Sequence, residues 1–243
     1  MSRQMAGNMT PEAAMATANA TFTGFQPSTP AFLRALGAHN TKAWFDAHRA
    51  DYERDYLAPT LAFIEAMREP LTRLNPEVHA DPRVNGSLFR VNRDIRFSKD
   101  KRPYKDHIDA FFWVGEGRSR ERPGFFFRLT ADRIMLGAGM HAFDPRRLEA
   151  YRAAVLDRAR GLALESAVET ARAAGATVEG EGYRKVPAGL DPAHPRADLL
   201  RHNALHASFD EPHPAALSFP AFVDFSVERF RSLAPLLTWV AGL

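Results

Sequence analysis

Between Arg90 and Lys105 the chain reads RVNRDIRFSKDKRPYK, where seven Lys and Arg residues stand against only Asp94 and Asp100. This local balance of +5 exceeds the +3 of the whole 243-residue chain. Guanidinium forks match phosphate and carboxylate geometry, so the chemistry such a run suits is anion binding. Phe89, Val91, Ile95 and Phe97 alternate with Arg90, Asn92, Asp94 and Arg96, which predicts a half-buried strand over Arg90–Ser98. On that strand Arg90 and Arg96 share a face, and a turn at Pro103 returns Lys105 toward them. The expected anion ligands are therefore Arg90, Arg96, Lys99 and Lys105. Asn92, Arg93, Asp94 and Tyr104 shape the site, with Asp94 orienting a guanidinium and Tyr104 offering a ring face. Arg93 falls on the apolar side of the alternation and predicts burial against an acid or backbone carbonyls.

For proton transfer the candidates are His107, just beyond Lys105, and Asp94. Ser98 lacks both the strained glycine turn and the Asp/His partners of an activated nucleophile. The same Arg and Asp groups also read as a brace in which charges neutralise one another and the lysines are solvated. No metal site is expected. His202 and His206 sit four apart on an expected helix, but RHNALH lacks the Glu of the zinc helix motif and has no third ligand. The glycines of LGAGMH lack a phosphate loop's Lys-Ser/Thr ending and suit close packing at a strand end.

The pI near 9.4 is basic, but the small net charge points to a local patch and not to a generally cationic surface. With no cysteine, disulfides, thiolate metal sites and cysteine nucleophiles are excluded. No apolar run approaches the roughly 20 residues of a membrane span, and the first 20 residues lack the apolar block of a secretory signal. The expected location is cytoplasmic, and no cofactor is implied. No feature defines an oligomeric state.

Residues 1–21 read as a flexible extension and 22–243 as a single α+β domain. Ser28 or Thr29 is expected to cap a first helix, and Asn40 a second running through TKAWFDAHRADYERDYL with Phe45, His48, Tyr52 and Tyr56 inward. A third helix after Pro59 buries Leu61, Ile64, Met67 and Leu71. The strand at Arg90–Ser98 and the runs His107–Val114, Gly124–Leu129 and Arg133–Met140 predict a mostly antiparallel central sheet. Helices from both ends pack on it: one from Asp144–Pro145 to about Ala174, one near Arg196–Leu205 and one over Pro220–Val240. The Gly- and Pro-rich segment between is loop with room for one short strand.

NTKAWFDAHRADYE, RVNRDIRFSKDKRPYKDHI, LGAGMHAFDPRRL and YRKVPAGLDPAHPRADLLRHNAL, in that order, resemble the landmarks of the domain of unknown function 2461 family of bacterial and fungal proteins. The resemblance runs from about Phe22 to Trp239 and implies one α+β domain. The family has no established activity, so it contributes no catalytic residues. It places Arg49, Tyr52, Arg93, Asp94, Arg96, Phe97, Lys99, Lys101, Pro103, Tyr104 and Lys105 at motif positions. Lys185, Pro187, Gly189 and His194 belong to the last motif, which is expected to fold back over the basic segment.

Three functions fit these residues. The first is an enzyme or binding protein for a small phosphorylated or carboxylated ligand held in a basic cleft. The second is a nucleic-acid-binding protein, which needs a longer basic stripe with exposed aromatics. The third is an interaction module whose basic segment meets an acidic partner.

Overall fold

The computed structural model describes residues 21–117 and 121–243. The expected extension over residues 1–21 lies outside them, save for Thr21.

The first half opens with helices. Ser28–Ala38 forms α1 and Lys42–Ala47 forms α2. The cap of α2 is Thr41 and not Asn40: the Thr41 hydroxyl accepts from Trp44 N at 3.3 Å. Asn40 instead makes a reciprocal amide pair with Tyr104, donating to its carbonyl and accepting from its N–H, both at 3.0 Å. The expected long helix is interrupted at His48 and widened into a π-helix at Tyr52–Leu57 before α3, Ala58–Leu74. Of its expected inward stripe Phe45, Tyr52 and Tyr56 are buried and His48 is half-buried, and Leu61, Ile64, Met67 and Leu71 of α3 are buried.

Among the described residues the sheet has six strands: β1 Val78–His79, β2 Ile108–Val114, β3 Gly124–Leu129, β4 Arg133–Met140, β5 Thr177–Glu181 and β6 His202–Pro212. Their order is β1-β2-β3-β4-β6-β5, and every pairing is antiparallel. The fold is α+β, as the sequence predicts. After β4, α4 (Pro145–Leu156) is capped by Asp144, whose carboxylate accepts from Arg147 N at 2.8 Å. The single helix expected there is broken at Asp157, which caps α5, Arg158–Ala173. α6, Phe222–Ala241, ends the fold.

Two expected elements are corrected. Arg90–Ser98 is not a strand. Only Asn92 and Tyr104 bridge across it, with Arg93 N donating to Pro103 O and Lys105 N to Val91 O, each at 2.8 Å. Beyond Arg93 the carboxylates of Asp94 and Asp100 accept from the N–H groups of Arg96 and Arg102, two residues on. These side-chain turns compete with ladder bonds and curl the segment into a loop. Phe97, expected inward, is 95% exposed.

The helix expected over Arg196–Leu205 shrinks to one turn at Ala197–Leu200, and β6 takes the rest. Leu205, Ala207 and Phe209 alternate along β6, and eight residues of β4 pair with it. In a strand His202 and His206 stand about 13 Å apart, too far to share an ion.

One face of the sheet packs on α3 and α6. Phe112, Phe125, Phe127 and Leu136 point to this side with Phe63, Phe222 and Phe230, all nearly or fully buried. The opposite face carries the other half of each alternation. Across β2, β3, β4 and β6 its rows run Asp109–Arg128–Met135–Asp210, Phe111–Phe126–Gly137–Ser208 and Trp113–Gly124–Gly139–His206. Among the described residues, no helix is long and apolar enough to cross a membrane.

Candidate functional site

The open face of the sheet holds a cleft of about 410 Å³. Its floor is Phe111, Phe126 and Met135, and Phe89 enters from the segment before β2. Glycine makes this floor possible. A Cβ on Gly137 would lie 2.1 Å from Cζ of Phe126, so Phe126 lies flat over that glycine. The LGAGMH glycines therefore serve close packing, as the sequence suggests.

At one end the register sets Asp109 opposite Arg128. Asp109 is only 11% exposed and receives three donors, two of them the cations Arg128 and Lys105. Arg128 Nε lies 2.6 Å from it, Lys105 Nζ 3.1 Å and His107 Nε2 3.2 Å. Burial would raise this carboxyl, but the hydrogen bonds from His107 and Arg128 outweigh it and hold Asp109 well below the usual carboxylate range. His107 has its other nitrogen 3.2 Å from Asp106, so both ring nitrogens face carboxylates. Lys105 also sits over the Phe89 ring, 5.1 Å from its centre. Arg128 commits only Nε to this hub, and its Nη groups make no hydrogen bond among the described residues. Its side chain is 44% exposed at the cleft.

The other end is imidazole. The His141 ring lies 4.9 Å from Phe126 and 4.3 Å from His206. His206 Nδ1 is buried without a hydrogen-bond partner among the described residues, Glu179 being 3.9 Å away. Burial, then the neighbouring His141 and His202, lower His206 to about 4. His141 is lowered by partial burial and then by the Arg128 charge, against Glu179, which raises it. Half-buried Arg122 completes the rim and carries no ion pair among the described residues.

The residues expected to bind an anion do not share this cleft. Arg90, Asn92 and Tyr104 line a second groove of about 310 Å³ with Arg49, whose guanidinium lies 5.4 Å from the centre of the Tyr52 ring. Burial pushes Tyr52 up to about 12. Arg96 is bound to Asp94 by two hydrogen bonds, 3.0 and 2.7 Å, in the exposed loop. Lys99 is exposed there, with no ion pair among the described residues. Lys101 donates to Ile95 O at 2.9 Å. Lys105 alone of the four reaches the sheet. Arg93 meets its expectation: three-quarters buried, it pairs with Asp100 at 2.7 Å and donates to Arg102 O at 3.1 Å. The last motif does not cover the basic segment. Its Arg196 is tied to Val155 O at 2.7 Å and Glu165 at 3.4 Å, beside the break between α4 and α5. No hydrogen bond or ion pair joins Lys185 or His194 to residues 90–105 among the described residues.

Asp109, Arg122, Phe126, Arg128 and His141 escaped the reading of the sequence. A signal existed for two of them. HIDAFFWV and GFFFRL each set one charge within an aromatic run, and opposite charges inside neighbouring strands predict a cross-strand pair.

No curated protein and no solved structure matches this chain. A family model described as a conserved hypothetical protein, DUF2461, matches residues 28–239, nearly the whole chain, and the protein belongs to that family.

Proposed function

We propose that the open-face cleft binds a small anionic ligand with a flat apolar body. One observation carries this reading: Arg128 is oriented by a buried carboxylate through Nε alone, leaving its Nη donors beside an aromatic floor. Apolar clefts with a few fixed polar groups are where small molecules bind. A guanidinium held this way meets a carboxylate or phosphate with little loss of side-chain freedom. Arg122 adds a second cation, and Asp109 is already neutralised by its three donors. The anion expected from the sequence is thus retained, and its principal ligand moves from Arg90 and Arg96 to Arg128.

A second reading rests on Phe97, whose exposed ring lies 5.8 Å from the Arg96 guanidinium. That pair suits stacking on single-stranded nucleic acid. Most cations around it are tied to Asp94 and Asp100, which leaves little charge for phosphates.

Calorimetric titration separates the two. Benzoate and phenyl phosphate are expected to bind the wild type where benzyl alcohol does not, and Arg128→Met to weaken them about tenfold or more. Arg90→Ala should bind them as the wild type does. Equal binding by Arg128→Met would overturn the cleft reading. Salt-sensitive binding of an oligothymidylate that Phe97→Ala abolishes would favour the second.

A further inference from the structure

The cleft is chemically lopsided, with charge at the Arg128 end and uncharged imidazole at the other. Building on the anionic-ligand reading, we propose that His141, backed by His206, forms a hydrogen-bonding subsite for a hydroxyl on the far side of the ligand. The ligand class is then an aromatic or similarly flat acid that carries a hydroxyl across the ring from its anionic group.

The spacing supports this. Arg128 and Phe126 project from the same face of β3 two residues apart, about 7 Å along the strand. The His141 ring lies 4.9 Å beyond Phe126. A ligand lying over Phe126 therefore reaches Arg128 with one end and His141 with the other, and a six-membered ring with para substituents spans such a gap.

The chemistry of the imidazole end selects the group. The charged neighbours are Arg128 and Glu179 toward His141 and Glu179 toward His206, and the titratable neighbours of His206 are the imidazoles of His141 and His202. Desolvation keeps both rings in the neutral form at pH 7. A neutral imidazole presents one donor and one acceptor. A hydroxyl also donates and accepts, so it can use either nitrogen, whereas an anion can only accept and would leave the ring lone pair unmet. Neither the His141 nor the His206 ring makes a hydrogen bond within the protein among the described residues, and the buried Nδ1 of His206 is left unsatisfied. Gly139 keeps the pair together, because a Cβ there would fall 2.9 Å from the His206 Cβ and 2.3 Å from Leu205 O.

The test compares benzoate with 4-hydroxybenzoate on the wild type, His141→Ala and His141→Gln, with affinity read by calorimetry and imidazole shifts by nitrogen-15 NMR. The wild type is expected to prefer 4-hydroxybenzoate about tenfold or more, since a site built to bond a hydroxyl disfavours the analogue lacking it. His141→Ala should remove that preference, so that the variant binds the two acids alike. His141→Gln, which keeps a donor and an acceptor, should retain part of it. The His141 nitrogen signals should move with 4-hydroxybenzoate and stay in place with benzoate. Equal affinity for the two acids in the wild type, or a preference that survives in His141→Ala, would overturn the subsite and leave the anion reading standing. If neither acid binds the wild type, the anion reading fails and the subsite with it.

Discussion

The loop at residues 94–102 and the hub at Asp109 are built from the same residue types, yet they do opposite things. In the loop Asp94 holds Arg96 and Asp100 holds Arg102, each pair two residues apart in the chain and open to water. At the hub one buried carboxylate gathers Lys105, His107 and Arg128, so a charge from β3 is tied to the segment that enters β2. Local pairs close a turn, whereas distant pairs orient side chains relative to one another. A ligand site needs the second kind, because a guanidinium held from another strand is already in place when the ligand arrives. Charge density along the chain therefore marks the loop, and charge convergence in space marks the cleft.

The sharpest way to break this comparison is Asp109→Asn. The amide keeps the shape but strands the Lys105 and Arg128 cations beside a buried site. Loss of one partner of a buried ionic cluster costs 3–5 kcal/mol, and a value of about 3 kcal/mol is expected because Arg128 can turn to water. Urea unfolding at pH 7 measures it. Acid adds a second check. The folded Asp109 titrates below its unfolded value of about 3.9, so its stabilisation is present above that pH and lost as pH falls through the folded value. The gap between wild type and Asp109→Asn should start to narrow below about pH 5 and keep narrowing as pH falls toward the folded value. An Asp109→Asn protein as stable as wild type would make the hub no different from the loop.

Arg93 lies between the extremes. Three-quarters buried, it pairs with Asp100 and a backbone carbonyl where the segment leaves the sheet. Arg93→Ala is expected to lower stability by about 1–2 kcal/mol, the worth of a hydrogen bond to a charged group with partial solvent access. If its denaturant midpoint is unchanged, the anchoring of the loop rests on the Asn40–Tyr104 amide pair and the backbone hydrogen bonds across Val91–Arg93 and Pro103–Lys105.

Much of the fold was legible because periodicity reports burial. The stripes through Phe45–Tyr56 and α3, the aromatic runs of β2 and β3 and the apolar run of β4 needed nothing beyond spacing. Two elements were misread for opposite reasons. Arg90–Ser98 alternates like a strand, but Asp94 and Asp100 offer their neighbours' N–H groups a closer partner than any ladder. His202–Pro212 begins like the continuation of a helix, and only the pairing surface of β4 settles it as a strand. The site was less legible than the fold. Arg128 is one charge in an aromatic run, and its meaning depends on lying opposite Asp109, 19 residues away. His141 and His206, 65 positions apart in number, meet because the glycine-bearing end of β4 lies beside β6.

The smallest expected effect belongs to Asp94, the residue that sequence makes most prominent. Hydrogen bonds from the Arg96 side chain and backbone lower its carboxyl to about 2. Taken alone, that shift would suggest a stabilising pair, present above the unfolded value and lost as pH falls toward 2. Solvent decides otherwise. Arg96 is 76% exposed, so water and salt screen the pair, and holding a long side chain in one geometry offsets most of what remains. Asp94→Ala should therefore unfold at the wild-type midpoint in 0.15 M salt, within measurement error, and bind benzoate as the wild type does. A loss comparable to that of Asp109→Asn would mean that the loop is held as tightly as the hub. The basic segment would then recover the structural weight its charge density suggests.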